Sequence, residues 1–252
     1  MLEVNKLNKS FGRFQAVKDV SFHVEKGEIL GFLGPNGAGK TTTMRMITGF
    51  LPPSSGTASV CGHDVRQEPI AAKASIGYLP ENGPLYHDMT VAGFLSFIAG
   101  VRGFKGKEKQ EKVADVVNRC YLTKVRHQVI GTLSKGYKQR VCFAQAVLHD
   151  PRVLIMDEPT DGLDPNQKYT VRTMIREMAK EKAIIISTHI LEEVDAVCTR
   201  AIVINNGRIV ANGTPTELKA MTPSGRLEDT FRKLTVGDET EVGGQKAEDG
   251  EE

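Results

Sequence analysis

The stretch GPNGAGKT, residues 34–41, constrains the fold of this chain more than any other feature. It matches the pattern G-x-x-x-x-G-K-[ST], directly after the apolar run ILGFL and directly before TTMRMITGF, which has helical spacing. Glycines at these spacings let backbone N–H groups curl around phosphate oxygens, while Lys40 reaches the β- and γ-phosphates and Thr41 offers its hydroxyl to Mg²⁺. The strand–loop–helix context predicts a nucleoside triphosphate site. The candidate residues are Gly34, Pro35, Asn36, Gly37, Ala38, Gly39, Lys40, Thr41 and Thr42.

Two acidic residues follow a second apolar run, in VLIMDEP. Asp157 ends a predicted buried strand, where its carboxylate is placed to hold Mg²⁺ through water. Glu158 follows it, and a carboxylate beside the metal carboxylate is suited to polarise the water that attacks the γ-phosphate. Because two buried acids are costly without a cation, we expect a functional role, with Glu158 as the catalytic base.

A histidine follows a third apolar run, in AIIISTH. The carboxyl ends of parallel strands meet at one edge of a sheet, so His189 is expected beside Asp157 and Glu158. A histidine at a strand end is more often structural, but this placement favours a catalytic role. The other five histidines have no comparable surroundings, and no role is predicted for them.

Composition excludes several classes of function. The chain has 252 residues, 25% charged residues and a net charge of +2, which gives no reason to expect nucleic acid as a partner. Its four cysteines contain no C-x-x-C pair, so a zinc or redox motif is not predicted and a reducing cytoplasm fits. The longest mainly apolar segment, VAGFLSFIAGV, is too short to span a membrane.

The order of sequence patterns predicts an α/β fold interrupted by helices. Residues 1–30 alternate apolar and polar positions, which indicates strands, and another strand is expected in TASVCG. From about 88 to 149 the periodicity is helical, which predicts a helical subdomain. Strand and helix then alternate through VLIMDEP, YTVRTMIREMAKEK, AIIISTH, LEEVDAVCTR and AIVINNGRIVANG, as expected of a parallel sheet.

The C-terminal part divides into two expected segments. We expect a main domain over residues 1–220 and a helical extension over 221–236. Residues 237–252, GDETEVGGQKAEDGEE, are acidic and glycine-rich with almost no apolar residues, so we expect a disordered, solvated tail.

The segment LSKGYKQR, residues 133–140, is an unusual helix start. Ser134 is a candidate cap, Gly136 leaves the backbone bare, and three basic residues add positive charge where the helix dipole already supplies some. Alone, the segment would be interpreted as an ordinary solvated basic helix start.

The ordered set GPNGAGKT, LSKGY, VLIMDEPTDGLDP and STH resembles the nucleotide-binding subunit of ATP-binding cassette (ABC) transporters, over about residues 2–220. The resemblance implies a P-loop NTPase (RecA-like) mixed-sheet core with an N-terminal antiparallel β subdomain and an inserted helical subdomain. It implies binding and hydrolysis of ATP with Mg²⁺. It also implies that two subunits close head to tail over two ATP molecules, so that the signature of one subunit faces the phosphate loop of the other.

The resemblance assigns roles to further residues. Ser134 and Gly136 would contact the γ-phosphate in trans, and Leu163 and Asp164 would couple the two sites across the dimer. Phe11 looks like the aromatic residue that stacks on adenine, although tyrosine is usual there and a core phenylalanine is the alternative. Glu81 stands where the family usually has the glutamine that touches Mg²⁺.

Besides Phe11, this sequence departs from the family pattern in the signature and at Glu81. The usual signature is L-S-G-G-Q, and here Lys135 and Tyr137 replace the first glycine and the glutamine; the charge of Lys135 is expected to replace part of the lost hydrogen bonding. Glu81 puts the usual glutamine–metal contact in doubt, although a carboxylate can also face Mg²⁺, and we expect it to link the metal site to the helical subdomain. These variants resemble bacterial ABC-2 exporter-type cassettes.

The resemblance implies an ATPase subunit on the cytoplasmic face of the membrane that powers export through a separate membrane-spanning partner. Its dimer partner would be a second copy or a close relative. Leu95, Phe97 and Ile98 are candidates for the groove where the membrane subunit docks, with ordinary core positions as the alternative.

Two other classes of protein are alternatives. One is a soluble ABC-type ATPase acting on the ribosome or DNA, but the chain has one cassette and no long coiled-coil insertion between Lys40 and Asp157. The other is a small-molecule kinase, which would not explain the signature or Asp164. The transported substrate is not encoded in a recognisable motif.

Overall fold

The computed structural model describes residues 1–236, so the predicted disordered tail at 237–252 lies outside the described residues. Two sheets organise this part of the chain: a four-stranded antiparallel sheet and a six-stranded mixed sheet. The predicted fold class, a mixed α/β P-loop architecture with an antiparallel sheet and inserted helices, is confirmed.

The antiparallel sheet is built mainly from the N-terminal residues. Its strands lie in the order β2-β1-β4-β5. Apolar side chains alternate along them, so that one face is buried and the other is exposed to solvent. The strands are β1 (Leu2–Phe11), β2 (Phe14–Val24), β4 (Ser55–Val60) and β5 (His63–Asp64).

The mixed sheet holds the central strands, in the order β10-β9-β3-β8-β7-β6. All neighbouring pairs are parallel except β9 and β10, which form a hairpin turning at Asn206 and Gly207, both with positive φ. Strands β3, β7 and β8 are buried along their whole length, which explains their continuous apolar runs. The strands are β3 (Ile29–Leu33), β6 (Ile76–Leu79), β7 (Val153–Asp157), β8 (Ala183–Thr188), β9 (Arg200–Asn205) and β10 (Arg208–Gly213).

Six helices follow or precede the strands of the mixed sheet. The helix predicted through the 170s begins earlier than its apolar periodicity suggested, at Pro165, because Asp164 caps it. Strand β6 and helix α2 were not predicted, since each has only a short apolar run. The helices are α1 (Lys40–Ile47), α2 (Pro69–Ala74), α6 (Pro165–Ala179), α7 (Leu191–Val197), α8 (Pro215–Lys219) and α9 (Leu227–Val236).

Three helices form the region between β6 and β7: α3 (Val91–Val101), α4 (Gly106–Arg119) and α5 (Lys135–Val147). Their apolar faces pack together and against the mixed sheet in one buried cluster. A second cluster fills the space between the two sheets. Within residues 1–236, no helix has the length and apolar character needed to cross a lipid bilayer.

Candidate functional site

The phosphate loop takes the conformation that its glycines permit. It leaves buried strand β3 and enters α1 at Gly39, whose φ of 106° favours glycine, as does the φ of 80° at Gly37. A Cβ atom on Gly39 would lie 2.7 Å from the carbonyl oxygen of Ala16 on β2. The loop therefore passes so close to the antiparallel sheet that only glycine fits at this position.

Lys40 is held under the loop. Its Nζ donates to the carbonyl oxygens of Gly34 at 2.7 Å and Pro35 at 3.2 Å, and lies 4.0 Å from Oε1 of Glu158. Burial lowers the pKa of Lys40, while the carboxylates of Glu158, Asp157 and Glu81 oppose this shift. The structure thus places a partly desolvated ammonium group beside the carboxylates predicted from the sequence.

Glu158 and His189 meet at the carboxyl edge of the mixed sheet, as predicted. Nδ1 of His189 lies 2.9 Å from Oε1 of Glu158. The backbone φ of Glu158 is 50°, which is uncommon for a residue other than glycine. The backbone N–H of Glu158 donates a hydrogen bond to the carbonyl oxygen of Ser187 at 3.0 Å. Its Oε2 is buried and has no hydrogen-bond partner among the residues described. This oxygen therefore keeps an unused acceptor position within the described chain.

Asp157 is 1% exposed and accepts a hydrogen bond from the hydroxyl of Ser187. Its carboxylate contributes to a raised pKa at Tyr78, which is due mainly to burial. Asp157, Thr41 at the start of α1 and Glu81 in the cavity wall, the residues predicted to hold Mg²⁺, all carry side-chain oxygen atoms. Oxygen donors of this kind fit Mg²⁺.

These groups surround a cavity of about 380 Å³. Of the predicted residues, Phe11, Glu81, Glu158, His189 and most of the phosphate loop line this cavity. Gly34, Ala38 and Asp157 are buried and do not line it. Phe11 is 49% exposed, which excludes the alternative of a core phenylalanine. The lining residues are Phe11, Phe14, Ala16, Pro35, Asn36, Gly37, Gly39, Lys40, Thr41, Thr42, Glu81, Glu158, Asp161 and His189.

The sequence prediction missed two polar or aromatic residues of this cavity, Phe14 and Asp161. Phe14 pairs with Phe11 across the β1–β2 turn, so it joins the same wall. Its position three residues after Phe11, with Gly12 and Arg13 forming a hairpin, was the available signal.

The signature segment lies outside this cavity. Ser134 is the N-cap of α5 and accepts from the N–H of Tyr137 at 3.4 Å, as predicted. Gly136 is buried, and a Cβ atom there would lie 2.3 Å from Cδ of Gln167. The positive charge at this helix start is partly compensated, because Nζ of Lys135 lies 3.9 Å from Oδ2 of Asp161.

The loop predicted to couple two sites has two different environments. Asp164 is exposed at the N-terminus of α6, where its Oδ1 accepts from the N–H of Gln167 at 3.0 Å. Leu163 is 6% exposed and packs in the core of its own chain. That this loop couples two sites across a dimer stays a prediction, for which Asp164 offers an exposed side chain and Leu163 a buried one.

The residues predicted to dock a membrane subunit differ in their exposure to solvent. Leu95 is fully buried in the helical region, so the alternative of a core position holds and its assignment to a docking surface is wrong. Phe97 is 43% exposed, and Ile98 lines a groove of about 500 Å³ between the helical region and the mixed sheet. We call it the interdomain groove; its residues are Thr48, Phe50, Lys73, Ile76, Tyr78, Ile98, Val101, Arg102, Gln145 and Ala146.

A phosphate loop between a buried strand and a helix, with two acids and a histidine at the same sheet edge, defines a P-loop ATPase. The ABC transporter family matches residues 17–161. The chain belongs to this family as an ATP-binding subunit with ATPase activity, as the sequence motifs predicted.

Two curated relatives align along most of the chain. A Bacillus subtilis (strain 168) protein named uncharacterized ABC transporter ATP-binding protein YxlF is 42% identical, over 87% of this chain and 72% of its own length. Nod factor export ATP-binding protein I of Paraburkholderia xenovorans (strain LB400) is 38% identical over the same shares of the two chains.

Solved structures share the fold. The ATP-binding subunit of an ABC transporter superposes with a TM-score of 0.83 at 30% identity, over 93% of this chain and 99% of the other. A dimeric bacterial ABC transporter cassette, MJ0796, gives a TM-score of 0.77 at 19% identity, over 85% and 98% of the two chains.

Proposed function

We propose that Glu158 is the general base of ATP hydrolysis and that His189 holds it in place. The observation that supports this role is the contact of Glu158 Oε1 with His189 Nδ1 at 2.9 Å, beside Lys40 at 4.0 Å. Glu158 also lines the nucleotide cavity, where its carboxylate would accept a proton from the attacking water. Lys40 and the N-terminal N–H groups of α1 would bind the β- and γ-phosphates.

Mg²⁺ would be held by Thr41 and Asp157, with Glu81 facing it from the cavity wall. The ion would neutralise charge on the β- and γ-phosphate oxygens. The adenine ring would stack on Phe11, for which the exposed aromatic face at the cavity wall is the support.

The active unit proposed is a dimer with a second copy or a close relative. Ser134 and Gly136 lie at the start of a 13-residue helix, but neither lines the cavity of their own chain. A positive helix N-terminus suits the γ-phosphate held by the partner, and Asp164 would lie at the same interface. The dimeric form of the MJ0796 cassette, which has the same fold, supports this arrangement.

The dimer would power export through a separate membrane-spanning subunit, from the cytoplasmic face of the membrane. The interdomain groove supports the docking of such a subunit, since Phe50 and Val101 are 76% and 69% exposed beside it. Export is supported by the name of the Paraburkholderia relative. Residues 1–220 would form the cassette, with 88–149 as the helical subdomain and 221–236 as a C-terminal extension.

The test is to replace Glu158 with Gln, which removes the base and keeps the shape of the side chain. We expect turnover to fall at least about a hundredfold, because general base catalysis typically contributes that much. With MgATP, Glu158→Gln should elute as a dimer in light scattering on a sizing column, whereas the wild type, which hydrolyses its ATP, should not. Glu177→Gln, the same change at an exposed glutamate of α6, should behave as the wild type.

A monomer in both proteins, with ATP binding confirmed, would contradict self-pairing. Unchanged turnover in Glu158→Gln would contradict its role as base. Capture experiments from membranes and from ribosomes then separate the two cellular targets: recovery with ribosomes instead of membranes would favour the alternative of a soluble ATPase.

A further inference from the structure

A buried carboxylate lies directly behind the histidine turn. Glu193, in the first turn of α7, is 2% exposed, and its Oε2 accepts a hydrogen bond from the hydroxyl of Thr188 at 2.7 Å. Thr188 is itself fully buried at the end of β8. The nucleotide cavity is lined by His189, which stands between these two residues in the sequence, but by neither of them.

The hydroxyl of Thr188 both donates and accepts a hydrogen bond. A hydroxyl has one hydrogen to donate, and Glu193 takes it, so the oxygen is left to accept. It accepts from the backbone N–H of Ile190 at 3.0 Å. The side chain before His189 is thus tied to the backbone immediately after it, and this closed turn fixes the direction in which the His189 side chain leaves the backbone.

The orientation of His189 depends on this turn, because few contacts hold the imidazole ring itself. Its side chain is 45% exposed, and within residues 1–236 its hydrogen bond is the one between Nδ1 and Glu158 Oε1. An exposed side chain with one hydrogen bond can change its rotamer unless the local backbone conformation disfavours the alternative rotamers. The turn between Thr188 and Ile190 supplies that limit.

The Glu193 carboxylate is also electrostatically coupled to this region. Burial raises its pKa and the nearby Glu158 carboxylate adds to this, while the hydrogen bond from Thr188 and the charge of Arg172 on α6 oppose it. Oε1 of Glu193 and the Nε and Nη2 atoms of Arg172 are buried without hydrogen-bond partners in the described chain. Removing the Thr188 hydroxyl would leave a buried carboxylate with one fewer donor, which is costly.

We propose that Thr188 and Glu193 are positioning residues that set the orientation of His189, and through it the geometry of Glu158. Neither residue lines the nucleotide cavity. The inference rests on the proposed function, since it acts through the roles given there to His189 and Glu158.

The test compares Thr188→Val, which keeps the shape and removes the hydroxyl, with Thr188→Ser, which keeps the hydroxyl. We expect Thr188→Val to lower kcat roughly tenfold, the effect of about 1.4 kcal/mol in the transition state, with KM for MgATP within about twofold of the wild type. Thr188→Ser should restore kcat. If Thr188→Val does not fold, Thr188→Ala leaves room for water beside the carboxylate and replaces it in the comparison.

A matched control exists at another helix start. Thr214 donates to Glu217 Oε2 at 3.0 Å in an exposed capping box that does not line the cavity. Thr214→Val removes the same kind of hydrogen bond, and its kcat should equal that of the wild type. A similar fall in kcat in both valine variants would overturn the inference.

The double variant Thr188→Val/His189→Ala separates positioning from general loss of structure. If Thr188 acts through His189, its replacement should not lower kcat further in the His189→Ala protein. Effects that multiply would overturn this inference and leave the proposed function intact. Wild-type turnover in His189→Ala would overturn the proposed role of His189, and this inference with it.

Discussion

Single residues in this protein have environments that their position in the sequence does not reveal. Glu158 was predicted as a base from its place after a buried strand, and the structure adds that its backbone has a positive φ. This conformation turns the chain away from the strand direction and leaves one carboxylate oxygen against His189 and Lys40. Residues in sparsely populated backbone conformations cluster at functional sites, where the surrounding structure holds them.

His149 is a second residue with an unusual environment. Its Nε2 lies 3.0 Å from the carbonyl oxygen of Ile76, and its Nδ1 is buried without a partner among residues 1–236. Burial, with a smaller effect from Arg102, lowers its pKa from 6.5 to about 4. Protonation of the ring would place the second proton on Nδ1, in a buried position without an acceptor among the described residues.

The pH dependence of stability follows from this shift. Between pH 4 and 6.5 the unfolded chain binds more protons at His149 than the folded chain, so stability rises with pH across this window. Lowering the pH from 7.5 to 5 should cost the wild type about 2 kcal/mol more than His149→Gln, which does not titrate. Urea unfolding at the two pH values measures the difference. His127→Gln, at an exposed histidine, is the control, and an equal loss in wild type and His149→Gln would contradict the prediction.

Sequence motifs predicted the polar residues of the cavity better than the apolar ones. The phosphate loop, Glu158 and His189 each follow an apolar run, and this pattern fixes their place at the sheet edge. A leucine is equally suited to the core of its own chain and to an apolar contact with a partner. The motif therefore did not predict whether Leu163 is buried. Phe14 enters the cavity through cross-strand pairing, which depends on the turn that the chain makes.

At the scale of elements, the loop carrying Glu81 is packed directly against helix α5. A Cβ atom on Gly83 would lie 2.3 Å from Sγ and 2.9 Å from Cβ of Cys142, which is buried in α5. Helix α5 also carries the signature residue Ser134 as its N-cap. The close contact joins the loop after β6 to the helix that begins at the signature.

Replacing Gly83 with Ala tests this contact. The added methyl group should destabilise the protein by about 1–3 kcal/mol, because it overpacks a filled site. Cys142→Ala in the same chain should recover part of the loss, since the sulfur atom is the nearer neighbour. Thermal or urea unfolding gives the free energies.

Gly100, in helix α3, is a control for the substitution at Gly83. A Cβ atom on Gly100 would meet only Nζ of Lys109, at 3.4 Å, so Gly100→Ala should be neutral or stabilise by about 0.5–1 kcal/mol through helix propensity. Equal losses in the two alanine variants would contradict the proposed packing of Gly83.

The elements with long apolar runs were predictable and the short ones were not. Strand β3 coincides with the apolar run ILGFL, and β7 and β8 were expected from VLIMDEP and AIIISTH. Strand β6 has four residues, including a glycine, and its pairing with β7 supplies what its own sequence does not. Local pattern is therefore sufficient only where the buried run is long.

At the scale of the whole molecule, the nucleotide cavity and the interdomain groove are different surfaces: none of the residues that line one also lines the other. A change in the groove should therefore leave catalysis by the isolated protein intact. Phe50, at 76% exposure, is the most exposed large apolar residue of the groove.

Phe50→Asp tests docking without disturbing the cavity. We expect turnover of the purified protein and its Tm to stay close to wild type, because a surface substitution usually changes stability by less than about 0.5 kcal/mol. Sedimentation with membranes from cells that produce the protein should fall, since a charge would be buried at the contact. Met221→Asp, at a residue 50% exposed outside the groove, is the control. Equal sedimentation of the two variants would contradict docking at the groove.

The order of the mixed sheet also determines when the protein can fold during synthesis. Strand β3, which leads into the phosphate loop, pairs with β8 and β9, so Ile29 lies beside Ile184. Both neighbours leave the ribosome only after the whole helical region has been made. Until then β3 has no strand partner and its apolar surface is uncovered, which exposes a nascent chain to aggregation. The ATP site is thus encoded early in the chain and assembled late.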